Sequence, residues 1–300
     1  MTLTALEQLA VTGCGHVVGP DCDSTSVLKS RKMRKFMGRQ DELAVIAAVR
    51  AVEAAGLPKA LGERCGLYLS VGFIPFEDTD LAMLVESSTA AGRFSMERFS
   101  TTAFRALSPL LTFRCLPNMP AFHVSLNLDV QGPYSVGYPG IGQFYLALEE
   151  AASALDEGTI DVALVGGVAD QDNVLVQHHF SRIDGPIDAS TLTSAAGFLV
   201  LERQQDADRR GAALRARPLA CEIRYCPADP FEVCGTHEER TAIHGESRDV
   251  AALGPASLAV AIATASGGTY TTSMPTVRSG FLCRQTPTSP QRTLPFGSGC

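Results

Sequence analysis

Residues 132–151, GPYSVGYPGIGQFYLALEEA, decide how this chain is read. A short aromatic and β-branched run meets a glycine-rich turn, and an apolar stretch follows; the pattern predicts a strand, a tight turn and the start of a buried helix. A turn of this kind sits at the positive end of a helix dipole, where backbone N–H groups stabilise a thiolate or an oxyanion. Yet between Gly137 and Gln143 stand only Tyr138, Pro139, Gly140, Ile141 and Gly142, and none of them can attack a substrate. Gly140 and Gly142 supply the geometry that lets two backbones approach closely. Ser135 follows Gly132 by three residues and does not fit the G-x-S-x-G nucleophile elbow.

Working outward, the helix from about Gln143 to Leu155 is apolar on nearly all sides through Phe144, Leu146, Leu148, Ala151, Ala152 and Leu155, so it belongs inside the protein. After it, GTIDVALVGGVAD reads as a central strand ending in Gly166 and Gly167, and TSAAGFLVLER as another ending in charge. Before it, LAVTGCGHVV reads as a first strand. DELAVIAAVRAVEAAGL is a helix with Leu43, Ile46, Ala47, Val49 and Val52 near helical spacing and Gly56 as its stop, and CGLYLSVGF is the next strand. This β–α–β order predicts a layered sheet with helices on its faces. A proline-punctuated segment then leads to a helix containing Asn118 and His123, where His123 reads as a hydrogen-bonded core residue. Beyond about residue 205, ALRARPLACEIRYC looks like a strand, LGPASLAVAIATASGG like a short buried helix and TYTTSMPTVRSGFLCRQT like a hairpin or two strands. The tail, residues 286–300, has little to bury and is expected to be partly loose.

Three hundred residues with 45% hydrophobic content can bury a large core, in one domain or two intimately packed halves. With 19% charged residues and a net charge of -7, the chain shows no overall electrostatic footprint for nucleic acid or an anionic membrane. The N-terminus has no basic region leading a long apolar core, and no run approaches the roughly 18 apolar residues of a membrane span, so a cytoplasmic protein is expected. Nine cysteines, Cys14, Cys65, Cys115 and Cys283 among them, are scattered without a repeated spacing, as reduced thiols would be. Cys221, Cys226, Cys234, His237 and His244 fall close together, but only Cys234 and His237 have the spacing of a zinc-ligand pair. The cluster reads as a strand and a polar loop. The His178–His179 pair would face opposite ways if extended, so no metal and no cofactor are expected.

Several segments, in order, resemble β-ketoacyl synthases of the thiolase fold. VTGCGHVVGP is similar to their opening strand, LPNMPAFHVSLNLDVQGP to the segment before the active-site turn, EGTIDVALVGGV to the strand after the nucleophile helix and SAAGFLVLER to a later strand. The likeness spans roughly residues 10–205. It implies a thiolase-like layered α/β/α/β/α fold with a complete N-terminal half (1–205), a shortened C-terminal half (206–285) and the tail.

Aligned without a gap from Gly132–Pro133, the catalytic cysteine position of active ketosynthases is Ile141, and hydrocarbon can neither attack a thioester nor leave. The family's second half supplies two histidines that assist decarboxylation and stabilise the enolate. Neither His237 in CGTHEE nor His244 in TAIHGES matches those motifs convincingly, His237 being the nearer of the two. Loss of nucleophile and histidines resembles the chain length factor of type II polyketide systems, a catalytically silent subunit that pairs with an active ketosynthase and shapes the acyl tunnel. The resemblance then implies acyl carrier protein as a partner through the complex. It also places FIPFEDTDLAML near the interface, with Phe73, Ile74 and Phe76 as bulky gate residues beside Gly140, Ile141, Gly142 and Gln143. Two other readings stay open: a condensing enzyme or acyltransferase with a relocated nucleophile such as Cys115, and a scaffold that binds acyl carrier protein, which the acidic net charge disfavours.

Overall fold

Leu9–Val18 form strand β1, and two of its glycines show how closely the next element approaches. A Cβ at Gly13 would fall 2.2 Å from the Ala51 carbonyl oxygen, and one at Gly15 2.2 Å from that of Ala47. Helix α1, Arg39–Ala54, therefore lies directly on the strand, presenting Ala44, Ala47, Ala48 and Ala51. It stops where its sequence does, just before Gly56 at φ +67°. The structure, a computed structural model, describes residues 8–19, 23–74, 76–138, 143–182, 189–224, 254–256, 259–260, 270–276 and 279–286.

Strand β2 is Cys65–Val71, helix α2 Asp78–Ser88, and the two-residue strands β3 (Thr89–Ala90) and β4 (Arg93–Phe94) make a small hairpin. A helical stretch from Met96 to Ala106, widened into a π turn over Phe99–Ala103, leads through Leu111–Cys115 to α3, Met119–Leu128. Strand β5 (Tyr134–Gly137), helix α4 (Gln143–Asp156), strand β6 (Val162–Ala169), helix α5 (Val174–Ser181) and strand β7 (Ala195–Arg203) complete the first half. Their sheet has the order β1-β7-β6-β2-β5. β2 is parallel to both β5 and β6, while β7 is antiparallel to β6 and β1.

Period-two alternation sorts the strand residues onto two faces. Leu67, Leu69, Leu164, Val168, Phe198 and Val200 pack with α1 and α3, whereas Tyr68, Ala163, Val165, Leu199 and Leu201 pack with α4. Both faces are covered, which is why these strands read as continuous apolar runs. Helix α4 buries Phe144, Tyr145, Ala147, Leu148, Ala151, Ala152 and Leu155, as its composition requires. Its layer also meets Ala216 and Ala259, from the start of the second half. There, strands β8 (Arg217–Arg224), β9 (Tyr270–Thr276) and β10 (Ser279–Thr286) form an antiparallel sheet in the order β8-β10-β9, so the expected hairpin is present. The order helix, sheet, helix, sheet is that of a thiolase-like layered α/β protein.

Two expectations are corrected. Gly166 and Gly167 do not end β6 but lie inside it: a Cβ at Gly166 would sit 2.3 Å from the Phe198 ring, and one at Gly167 1.9 Å from the Pro255 carbonyl oxygen. The glycines are there for close approach from both faces, not for a turn. His178 and His179 are helical rather than extended, because Asn173 caps α5 by accepting from the Leu175 N–H at 3.0 Å.

Ala91, in the turn between β3 and β4, has φ +50°, followed by Gly92 at +74°. Two successive left-handed residues favour Asn-Gly. Ala91→Asn is therefore expected to stabilise the chain by about 0.5–1 kcal/mol, read as a higher melting temperature; a lower one would contradict the turn geometry.

Candidate functional site at the carboxyl edge of the sheet

Three parallel strands, β5, β2 and β6, end side by side: Ser70 is level with Gly137 and Val71 with Val168. The chain leaving each of them therefore emerges on one edge, the position where α/β sheets build ligand sites. From β2 comes the segment with Phe73, Ile74 and Phe76, all half-buried. From β6 come Asp170, Asp172 and Asn173, and from β5 comes the glycine-rich turn. Gly140, Ile141 and Gly142 lie outside the described residues. Gln143, where α4 begins, closes on the strand: a Cβ at Gly137 would be 2.8 Å from the Gln143 Cβ, so a glycine there lets helix and strand meet.

The described residues Phe73, Ile74 and Phe76 belong to no helix or strand, and two carboxamides hold them instead. Gln40, in the first turn of α1, donates through Nε2 to the Phe73 carbonyl at 2.7 Å. Asn173 donates through Nδ2 to the Phe76 carbonyl at 2.7 Å. The Phe73 ring also lies 4.7 Å, centroid to centroid, from the imidazole of His179. Ile74 lines a small cavity of about 10 Å³ with Gln40, Cys115 and Leu116. Phe76 lines a larger one of about 360 Å³, whose walls include Arg39, Glu77, Asp78, Asp170 and Asp172. Such walls suit polar groups or water; a hydrocarbon chain would leave them desolvated without partners. Arg114 bridges this cavity, donating to Glu77 at 2.6 Å and to Asp80 at 3.0 Å.

Burial pushes the Cys115 thiol up to about 11 and those of Cys14 and Cys65 up to about 12. At pH 7 a thiol with a pKa of 11 is thiolate in roughly one molecule in 10⁴, and the thiolate is the nucleophile. Cys115 is thus a poor relocated nucleophile. Iodoacetamide at pH 7.5 is expected to leave all three unmodified in the folded chain, by peptide mass mapping; rapid labelling of Cys115 would contradict its environment.

His123 is fully buried, as expected of a core histidine, and the Phe36 backbone is its partner, in a hydrogen bond of loose geometry. Neither ring nitrogen closes a hydrogen bond of good geometry. Burial pushes its pKa down to about 4, the Phe36 backbone offsetting this only in part. Asp41 lies 4.0 Å away, and burial raises its carboxyl to about 8 against the opposing pull of the Gly38 N–H. Between about 4 and about 8 the folded pair therefore carries one proton, on Asp41. An unfolded pair, with ordinary values of 3.8 and 6.5, also holds one proton up to 6.5 and then loses it. Stability is therefore level between about 4 and 6.5 and falls from 6.5 to about 8, by up to about 1.4 kcal/mol per pH unit. Asp41→Asn, which can still accept from Gly38, is expected to abolish that fall in melting curves recorded from pH 6 to 8.5. A fall of equal size in the variant would contradict the assignment.

Cys226, Cys234, His237 and His244 lie outside the described residues, and of Cys221 only the backbone, in β8, is described. Among the described residues no group of three or more His, Cys, Asp or Glu could hold a metal ion, and no helix is long and apolar enough to cross a membrane.

The β-ketoacyl synthase N-terminal domain matches residues 12–207, and the chain belongs to that family. No curated protein matches it in sequence. Solved structures with a similar fold include a type II polyketide synthase acyl-carrier protein in complex with its ketosynthase bound to the hexaketide, with a TM-score of 0.71 and 13% identity over 94% of this chain and 100% of that one. A β-ketoacyl synthase from Burkholderia phymatum STM815 gives 0.70 and 14%, again over 94% and 100%. The ishigamide ketosynthase/chain length factor gives 0.69 and 17%, with the same coverage.

Proposed function

We propose that this chain is a non-catalytic ketosynthase-like subunit, a chain length factor that pairs with an active ketosynthase and shapes the acyl tunnel in type II polyketide or polyene biosynthesis. The observation that carries the reading is the open edge of the sheet at β5. Among the described residues that strand pairs only with β2, and Leu67 donates to the Pro133 carbonyl. By the alternation of a parallel ladder, the backbone groups of Tyr134 and Val136 then point outward, as a template for a strand of another chain. Tyr134 itself is 67% exposed, as are Phe122 and Leu126 on the preceding helix to a lesser degree. Val85, Phe94, Met96 and Phe104 add further exposed apolar surface between α2 and α3. Surface of this kind marks a protein interface.

Catalytic silence is supported from two sides: the resemblance aligns Ile141 with the family's nucleophile position, and burial raises the pKa of the described thiols. Lys29, Arg31, Lys32, Arg34 and Lys35 form an exposed basic cluster before α1, suited to an acidic carrier protein that the net charge of -7 would repel. In this reading residues 1–205 are the ketosynthase-like half and 206–285 a shortened second half, in a cytoplasmic complex with no metal or cofactor of its own. Co-expression with a ketosynthase is expected to give one stable complex with an interface well above ~1,200 Å². A well-behaved monomer that ignores the ketosynthase would overturn the proposal.

A further inference from the structure

Gln40 is a costly residue for its position. It is 4% exposed in the first turn of α1, and its carboxamide oxygen makes no hydrogen bond. A buried acceptor left unpaired is destabilising, so packing alone would favour an apolar side chain of the same length. What an apolar residue could not supply is the Nε2 donor on the Phe73 carbonyl, at 2.7 Å. Asn173 repeats the arrangement from the other side. Also buried, it uses its oxygen to cap α5 at Leu175 and its nitrogen to hold the Phe76 carbonyl. The two donors come from different elements and grip Phe73 and Phe76, whose described neighbours are in no helix or strand.

We propose that Gln40 and Asn173 are positioning residues that fix the two ends of this segment and so set where Phe73 and Ile74 stand, and through them the length of acyl chain the complex accepts; the polar cavity beside Phe76 is not the acyl path. The inference rests on the reading of this chain as a chain-length-setting partner. A gate in a close-packed wall discriminates by one two-carbon unit only if its backbone is fixed to better than the length of that unit, and loops are not fixed by themselves. Here the fixing comes from donors outside the loop.

The test uses the complex of the full chain with its ketosynthase. Gln40→Met keeps length and apolar volume while removing the donor. Asn173→Asp keeps the acceptor that caps α5 while removing the donor to Phe76. Both variants are expected to join the ketosynthase as the wild type does, to raise hydrogen exchange across residues 72–77 by tenfold or more, and to shift or broaden the product distribution by at least one two-carbon unit. A purely structural role would lower the melting temperature and leave product length unchanged. Complexes that form normally and make the wild-type product with both variants overturn this proposal while leaving the subunit reading standing. A wild-type chain that never joins a ketosynthase overturns both.

Discussion

Tyr134→Glu is expected to weaken assembly with a ketosynthase by at least ~100-fold, about 3 kcal/mol, without unfolding the chain. The side chain is largely exposed, so the substitution removes little from the core, and exposed changes of this kind usually move stability by about 0.5 kcal/mol or less. In the complex the same position would be covered. A carboxylate there must be stripped of water beside outward-facing backbone groups, and no neighbouring charge in β5 compensates it, since that strand reads Tyr-Ser-Val-Gly. Size-exclusion chromatography of the co-expressed pair, with a melting curve of the isolated variant, separates the two effects. Unimpaired assembly would place the interface elsewhere.

Gly15→Val is expected to cost more than about 4 kcal/mol, comparable with the whole stability of many domains. A Cβ at this position meets the Ala47 carbonyl oxygen at 2.2 Å and the Ala51 nitrogen at 2.4 Å, and both belong to helix backbone, which cannot rotate out of the way as a side chain could. Relief requires α1 to lift from β1, opening the cluster that contains Leu43, Ile46, Phe198 and Val200. Denaturant titration measures this directly. A loss of 1 kcal/mol or less would mean that helix and strand are not in contact here.

Much of this architecture was legible because it rests on apolar runs. β1, β2, β6 and β7 are buried on both faces, so their residues read as largely hydrophobic strands, and the nearly all-round apolar character of α4 announced its burial against the first sheet, Ala216 and Ala259. Glycine was harder. Gly166 and Gly167 look like punctuation in a one-dimensional string, and only the Phe198 ring and the Pro255 carbonyl reveal that they are contact points inside a strand. Helix α5 is short and carries two histidines, with no periodic apolar face to declare it. The donors Gln40 and Asn173 were invisible for another reason: each acts on a carbonyl more than thirty residues away, and nothing local marks a glutamine or asparagine as buried. The basic cluster from Lys29 to Lys35 was hidden by averaging, since a net charge of -7 says nothing about where the cations sit. His123 was legible as a core residue from its apolar helix, but the Phe36 backbone that meets its ring lies far off in sequence.

The central claim is that this chain shapes a condensation it does not perform, and the most direct measurement is the intact mass of the purified chain after incubation with an acyl thioester, alone and then with its ketosynthase. The account predicts no covalent acyl adduct on this chain in either case, and a stoichiometric adduct on the ketosynthase. A stoichiometric acyl group on this chain, followed by elongation of a thioester in the absence of any other condensing subunit, would contradict it.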